Sequence, residues 1–540
     1  MAKVIVLGLD GASWKVFNPL IKAGLFPHFG KILNLGVSAF LESTIPPITS
    51  PAWPSMVTGL NPGKLGVYST SARSKARLFS LKPVTSSIYK GRSMWDFLSE
   101  NEFRVALFKI PFLYPVYKVN GCMVSGFGSA SKFAAYPRYL HQKLVNGPSS
   151  LLEAELFKSL QTLNPNNTES SVRFIEKLKL VVQEERKAIL KLLPTLKWDF
   201  LFYVVSPLDW LQHAFMDKIF RLVRRFSSHT SLERNAIDSA LIDFYKDIDI
   251  LIGRFLDLVE QTDDDFAFFI VSDHGFTTRP YTFNIAKWLI ENHYMKIRMH
   301  KKGHEAPLKS ILVKKVSNLS KGAISGQILE EMLKILPSNI LQELKNARMR
   351  AYLEASHKTS ISAHVDFERS KIFCLEDRAI YVNSPFRDSK ILDDMIVDLN
   401  KFLKRFPDVT LKAYRSKEVY WGDKVQLSPD LTISILDKDQ IWEISTNPTR
   451  PLIFKPPLPG IHNRHGVFCA YGPQIKQRES LSNVLIWDIC PTILHIFDVP
   501  IPSYMDGRVL KEIFLEDSEI AKRSIIYEEE IESQVEKEPE

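Results

Sequence analysis

The run KVIVLGLD, residues 3–10, is apolar without a break from Val4 to Leu9 and ends on a carboxylate, Asp10. A short unbroken apolar run with three β-branched residues matches a parallel strand buried on both faces. FRVALFKI (103–110), WDFLFYVV (198–205) and FAFFIVSD (266–273) share that character. Between them lie VRFIEKLKLVVQEERKAILKLL (172–193) and DSALIDFYKDIDILIGRFLDLVEQ (238–261). Their apolar positions recur at three- and four-residue steps, the period of a helix with one buried face. Strands and helices alternating in this way predict an α/β fold of three layers, α/β/α, around a mostly parallel central sheet. Ligands of such sheets gather beyond the carboxyl ends of the strands. Asp10 and Asp273 close two of these runs, and Asp209 follows a third.

From 281 to 454 the texture changes. The basic stretch MKIRMHKKGHEAPLKSILVKKV (295–316) and alternating segments such as IYVN and LTISIL predict an inserted cap subdomain. The catalytic core then comprises 1–280 and 455–515. The remainder, 516–540, ends in YEEEIESQVEKEPE, with little to bury, and is expected to be an acidic tail. His293, His300, His304, His357 and His364 fall in the insertion and carry no assigned role.

A chain of 540 residues exceeds one ordinary core. Its composition, 45% apolar and 24% charged, is that of a globular protein in water. The net charge of +9 favours anionic ligands, but no five-residue Lys/Arg run marks a dedicated nucleic-acid binder. Cys122, Cys374, Cys469 and Cys490 lie far apart without CxxC spacing, as buried free thiols of a reducing cytosol would. The first apolar run is too short for a signal peptide, and no stretch approaches the roughly 18 apolar residues of a membrane span. A cytoplasmic location is therefore expected. The sequence leaves the oligomeric state open.

The candidate ligands divide into four groups. Asp10 precedes Gly11-Ala12 and, taken alone, reads better as a turn or helix-cap aspartate than as a ligand. Asp209 and His213, in SPLDWLQHAFMD, are four residues apart and would share one helix face, either gripping one ion or forming a surface pair. Asp273-His274 closes a strand, where two adjacent polar side chains need a partner to offset desolvation. GIHNRHGVF (460–468) offers His462 and His465 in a loop, one of which could be solvated. Together with a hydroxyl these donors suffice for two divalent ions, Zn²⁺ first with Mn²⁺ or Fe²⁺ as alternatives, in preference to Mg²⁺ or Ca²⁺. Two ions about 4 Å apart are suited to in-line phosphoryl displacement. The hydroxyl comes from IPPITSPAWPSMVTG (45–59), in which four prolines restrict the backbone around Thr49 and Ser50. A cation-activated Thr49 would be a nucleophile held in line. A helix over PSMVTGL is expected to point its first amides at the phosphate.

These motifs stand in the order found in the type I phosphodiesterase/nucleotide pyrophosphatase branch of the alkaline phosphatase superfamily. GLDGASW, STIPPITSPAW, TGLNPGKLG and DICPTILHIFDVPIPSYMDGRVL resemble its prokaryotic phosphohydrolase/phosphomutase-like members, from residue 10 to about 510. The resemblance implies an alkaline phosphatase-like fold and a metal-dependent phosphohydrolase acting on a phosphorylated small molecule. Asp10, Thr49, Asp273 and His274 match the ligands of one metal, with Thr49 the nucleophile, and Asp209, His213 and His462 those of the other. His462 is preferred to His465 because the family pattern places its histidine shortly after one glycine and four residues before the next, as Gly460 and Gly466 stand around His462. The implied reaction passes through a phospho-threonine, with the second metal stabilising the leaving oxygen and activating the water. Ala52 stands where the eukaryotic-type nucleotide pyrophosphatases carry Asn, and Leu65 where the GKHG loop carries His. Both departures leave nucleotide specificity open. TSPAW fits the frame of the sulfatase motif, but Thr49 cannot yield its aldehyde and Trp53 replaces its arginine. A cofactor-independent phosphomutase and a catalytically silent binding module are the alternatives.

Overall fold

The computed structural model describes residues 3–528 apart from 75–76, 129–132, 146–148, 228–234, 262–264, 298–364, 377 and 388–389. Nine strands form the central sheet: β1 (Lys3–Leu9), β2 (Val37–Glu42), β3 (Val105–Ile110), β4 (Gly121–Ser125), β5 (Ala135–Tyr136), β6 (Phe200–Val205), β7 (Phe266–Val271), β8 (His465–Tyr471) and β9 (Glu479–Leu485). Their order is β9-β2-β8-β7-β1-β6-β3-β4-β5. β1 pairs in parallel with both β6 and β7. β8 runs antiparallel to β7 and β2, and β5 antiparallel to β4, while the other pairings are parallel.

The alternation of β1 explains the three layers. Ile5, Leu7 and Leu9 enter one buried cluster, and Val4 and Val6 enter another on the opposite face. The first cluster is closed by Trp14–Lys22, Pro27–Leu35, Thr168–Leu192 and two longer-range helices, α2 (Pro207–Ser227) and α3 (Ala236–Glu260). The second is closed by α1 (Thr49–Thr58) together with Met94–Glu100 and Ile489–Ile496. Each fully buried aliphatic side chain contributes about 1.5–3 kcal/mol, so a strand apolar on both faces is stable only between two helical layers.

A second sheet lies within 282–454. Its strands run in the order 372–376, 379–382, 431–437, 440–445, 282–284, 453–454, with 409–415 added on 431–437. Trp288, Phe373, Leu399 and Trp442 centre its own buried cluster. Most of the basic stretch 295–316, with His300, His304, His357 and His364, lies outside the described residues, as does 529–540 of the expected tail. The described part of that tail lies against the core. Ile520 is buried, its carbonyl 3.0 Å from His495 Nε2, and Tyr527–Glu528 pairs with Ile501–Pro502.

Candidate metal centre

Asp10 leaves the carboxyl end of β1, Asp209 follows β6, and Asp273-His274 follow β7, so three neighbouring strands deliver four candidate residues to one edge. The helical period of α2 turns His213 to the same side as Asp209, with His213 Nε2 3.6 Å from Asp209 Oδ2. His462 arrives differently. It sits on a strand, Gly460–Asn463, paired antiparallel with Gly275–Thr278 so that His462 faces Phe276. The expected loop over 460–468 is therefore two strands joined at Arg464, since alternate residues pack Ile461 and Val467 inward.

Thr49 is the first residue of α1. That helix starts five residues before the stretch expected for it, because a first turn has amides without intrahelical partners and so accepts Pro51 without losing a bond. The loop before Thr49 is pinned at successive carbonyls. Ile45 O accepts from Tyr420 Oη, Pro46 O from Thr44 Oγ1 at 2.8 Å, Pro47 O from His462 Nδ1 at 3.2 Å, and Ile48 O from Ala52 N at 3.1 Å. Prolines remove donors and torsional freedom, and these four acceptors fix what remains.

The three imidazoles share one tautomer. His213 Nδ1 lies 3.3 Å from Gly460 O, His274 Nδ1 3.3 Å from Gly275 O, and His462 Nδ1 meets Pro47 O. A carbonyl can only accept, so each Nδ1 carries the proton and each Nε2 presents a lone pair. Those lone pairs converge. His462 Nε2 is 2.9 Å from His213 Nε2 and 3.2 Å from Asp209 Oδ1. His274 Nε2 is 3.2 Å from Asp273 Oδ2, 3.8 Å from Asp10 Oδ1 and 3.2 Å from Thr49 Oγ1. The His274 and His462 rings stack with centroids 3.7 Å apart.

Charge makes the case for cations. Asp10 Oδ1, Asp209 Oδ1 and Asp273 Oδ2 are buried without a hydrogen-bond partner. An unpaired buried charge costs several kcal/mol, and here each such oxygen faces an imidazole lone pair instead of a donor. Burial first, then the Asp209 charge, pushes Asp273 up to about 8. Burial, then Asp273 and Asp209, holds Asp10 well above the ordinary carboxylate range. Burial depresses His213 to about 4, and burial followed by the Arg378 charge depresses His462 to about 3. Acceptors that repel one another and imidazoles kept neutral form a donor set for divalent cations. Two groups of donors lie within 4.8 Å of one another, Asp10/Asp273/His274 and Asp209/His274/His462, with His274 common to both. His213 stands just outside the second trio, against His462.

His465, the other loop histidine of the sequence reading, is exposed and packs edge-to-face on Phe40 with centroids 5.7 Å apart. Two supporting residues had no chemical signal in the sequence. Trp53 places Nε1 3.4 Å from Asp10 Oδ2, and its ring lies so close over β1 that a Cβ on Gly8 would come 2.6 Å from it. Gln212 Nε2 donates to Gly11 O at 2.8 Å, while Gly11 N donates to Asp273 Oδ1 at 3.2 Å.

No curated protein sequence matches this chain. Among solved structures, murine ectonucleotide pyrophosphatase/phosphodiesterase 5 superimposes with a TM-score of 0.48 at 12% identity, covering 95% of this chain and 100% of that one. An inactive variant of the murine protein in complex with AMP gives 0.46 at 13% identity over 92% and 96%. The human counterpart gives 0.45 at 12% over 94% and 97%. The sequence itself matches a family model, described as type I phosphodiesterase/nucleotide pyrophosphatase, over residues 4–411, most of the chain. The chain belongs to the type I phosphodiesterase/nucleotide pyrophosphatase family and is a phosphoric ester hydrolase.

Proposed function

We propose that this hydrolase cleaves phosphodiester or phosphomonoester bonds of a phosphorylated small molecule through a phospho-threonine at Thr49, beside two divalent cations. Asp10, Thr49, Asp273 and His274 would hold one ion and Asp209, His213 and His462 the other, with Zn²⁺ first and Mn²⁺ or Fe²⁺ as alternatives. The carrying observation is the set of three partnerless carboxylate oxygens opposite imidazole lone pairs, with the Thr49 hydroxyl among them. Such ions supply positive charge that favours the alkoxide and offsets charge on the phosphoryl and leaving oxygens. The chain's own residues do the positioning. Thr49 is β-branched and restricted at χ1, and it heads a helix whose first amides would face an anion bound there. Thr49 Oγ1 forms the new bond to phosphorus as the bond to the leaving oxygen breaks. Water then cleaves the phospho-threonine and restores the hydroxyl.

The insertion, taken as 281–454, is proposed as the cap that selects the leaving group. Buried Arg378, in the turn between strands 372–376 and 379–382, acts electrostatically on both His274 and His462. A cytoplasmic setting is supported by four buried cysteines, none of them in a disulfide. No helix among the described residues is long and apolar enough to cross a membrane.

The test combines metal analysis with hydrolysis of bis(p-nitrophenyl) phosphate and p-nitrophenyl phosphate. The proposal expects bound divalent ions, turnover, and a phosphate on Thr49 in acid-quenched protein by mass spectrometry. Protein that retains no divalent ion, or turnover that survives Thr49→Ala, overturns it. Transfer of the group to a second substrate hydroxyl instead of water would mark the phosphomutase.

A further inference from the structure

Two motifs singled out in the sequence, TGLNPGKLG and IPSYMDGRV, contribute nothing to the donor cluster. Both instead meet a strap from the insertion, residues 416–427. Asn61 Nδ2 donates to Val419 O at 3.1 Å, and its Oδ1 accepts from Trp421 N at 3.3 Å and Gly63 N at 2.8 Å. Gly63 O accepts from Lys424 N at 3.0 Å. A Cβ on Gly63 would lie 2.2 Å from Trp421 O, so only glycine permits this approach. Asp506 gathers the strap and the loop together. It accepts from Trp421 Nε1 at 2.6 Å, Lys64 Nζ at 2.7 Å and Asn61 N at 2.8 Å.

Between these ties, Tyr420 points at the nucleophile loop. It is 3% exposed, its ring stands edge-on to Tyr68 with centroids 4.8 Å apart, and its hydroxyl donates to Ile45 O, four residues before Thr49. On the other side of Thr49, Ser50 Oγ donates to Ser69 O at 2.8 Å, next to Tyr68. The loop carrying Thr49 is thus held at one end by the core and at the other by a side chain of the insertion.

We infer that Tyr420 is a positioning residue: through Ile45 it holds Thr49 Oγ1 in line for attack, so that docking of the 416–427 strap on the 61–64 loop sets the rate of phosphoryl transfer and not substrate choice alone. The inference rests on Thr49 being the nucleophile. Burial raises the tyrosine well above its ordinary pKa, so the hydroxyl remains a donor at any working pH. Of the four donors pinning the loop, Tyr420 is the one supplied by the strap, and its removal frees Ile45 O.

The test is Tyr420→Phe, which keeps the ring against Tyr68 and deletes the donor to Ile45 O together with a 3.5 Å contact to Thr432 Oγ1. Expected are a fall in kcat on bis(p-nitrophenyl) phosphate of at least about ten-fold, given that small misplacements of reacting groups can cost about a hundred-fold. KM should stay within about two-fold, with unchanged metal content and slower single-turnover labelling of Thr49. Gly63→Ala, which displaces the strap, should reproduce the kcat loss, and the double variant should lose little more than the worse single. A Tyr420→Phe enzyme with wild-type kcat, or one changed only in KM or melting temperature, overturns the inference. Wild-type protein without phosphatase or diesterase turnover would instead defeat the functional proposal on which it rests.

Discussion

Asp273→Asn should make the metal-free protein more stable while making the metal-loaded protein less so. Asp273 is fully buried, and without a cation its carboxyl rises from the ordinary 3.8 to about 8. The sign is that of an acid raised on folding: between those two values the folded state binds the proton and the unfolded state does not. Stability therefore falls as pH climbs through that window. At pH 7 the accumulated difference is about three pH units, which at 1.36 kcal/mol per unit is about 4 kcal/mol of destabilisation. Asparagine removes the charge, keeps an oxygen to accept from Gly11 N, and matches the shape. With an unfolding entropy of about 2.1 cal/mol/K per residue, 540 residues unfolding as one unit shift by about 4 °C, more if the core unfolds separately. Chelator-treated wild type and variant are compared by circular dichroism melts at pH 5, 7 and 8, then again with Zn²⁺. The variant should melt higher without metal, with the gap widening as pH rises. With Zn²⁺, the ion that Asp273 helps to hold stabilises wild type alone, by about 2.7 kcal/mol at 100 times its dissociation constant and about 4.1 at 1,000 times, so the gap narrows, then closes, and the ranking reverses only above that concentration. A metal-free variant melting at or below wild type between pH 6 and 8 refutes the view of Asp273 as an uncompensated charge.

Thr49→Ala should lower kcat by at least about a thousand-fold with nearly intact metal content, read by turnover alongside elemental analysis. His462→Ala should lower metal content and activity together, while His465→Ala, exposed on Phe40, should change kcat less than about two-fold by the ordinary behaviour of surface substitutions; the reverse result would exchange their roles. Zn²⁺ binding at pH 7 should release about one proton from Asp273 or more, because the carboxylates are raised while His213 and His462 are already neutral. Calorimetry in buffers of different ionisation enthalpy measures this, and Asp273→Asn should remove about one proton from the count.

The central layer was legible because β1, β3, β6 and β7 are buried on both faces and so leave apolar runs, interrupted in β3 by Lys109. β2 was not, since VSAFLE alternates and places Phe40 at the surface. The apolar stretch of β8 was visible, but the polar IHNRH segment before it reads as a loop and hides the strand Gly460–Asn463. The antiparallel pairing that fixes His462 is set by a ladder with residues 275–278, a contact across almost 200 positions that no local pattern encodes. At the centre itself, the spacing of Asp209 and His213 spoke for a helix, and the strand ends located Asp10 and Asp273. Tyr420 and Trp53 gave no such signal. A tyrosine bonding to a backbone carbonyl and a tryptophan bonding to a carboxylate look, in one dimension, like ordinary buried aromatics.

The ladder joining Gly275–Thr278 to Gly460–Asn463 has a consequence for how this architecture could diversify. Thr278 and Gly460 are directly opposite each other, so everything from 279 to 459 leaves and re-enters through one narrow gate. Closing a flexible segment across such a gate grows dearer only with the logarithm of its length. The stretch between can be lengthened, trimmed or exchanged by evolution or by an engineer while His274 and His462 stay in register on the stem. Novelty in substrate can then arise without rebuilding the chemistry, provided that each replacement supplies its own hydroxyl for Ile45.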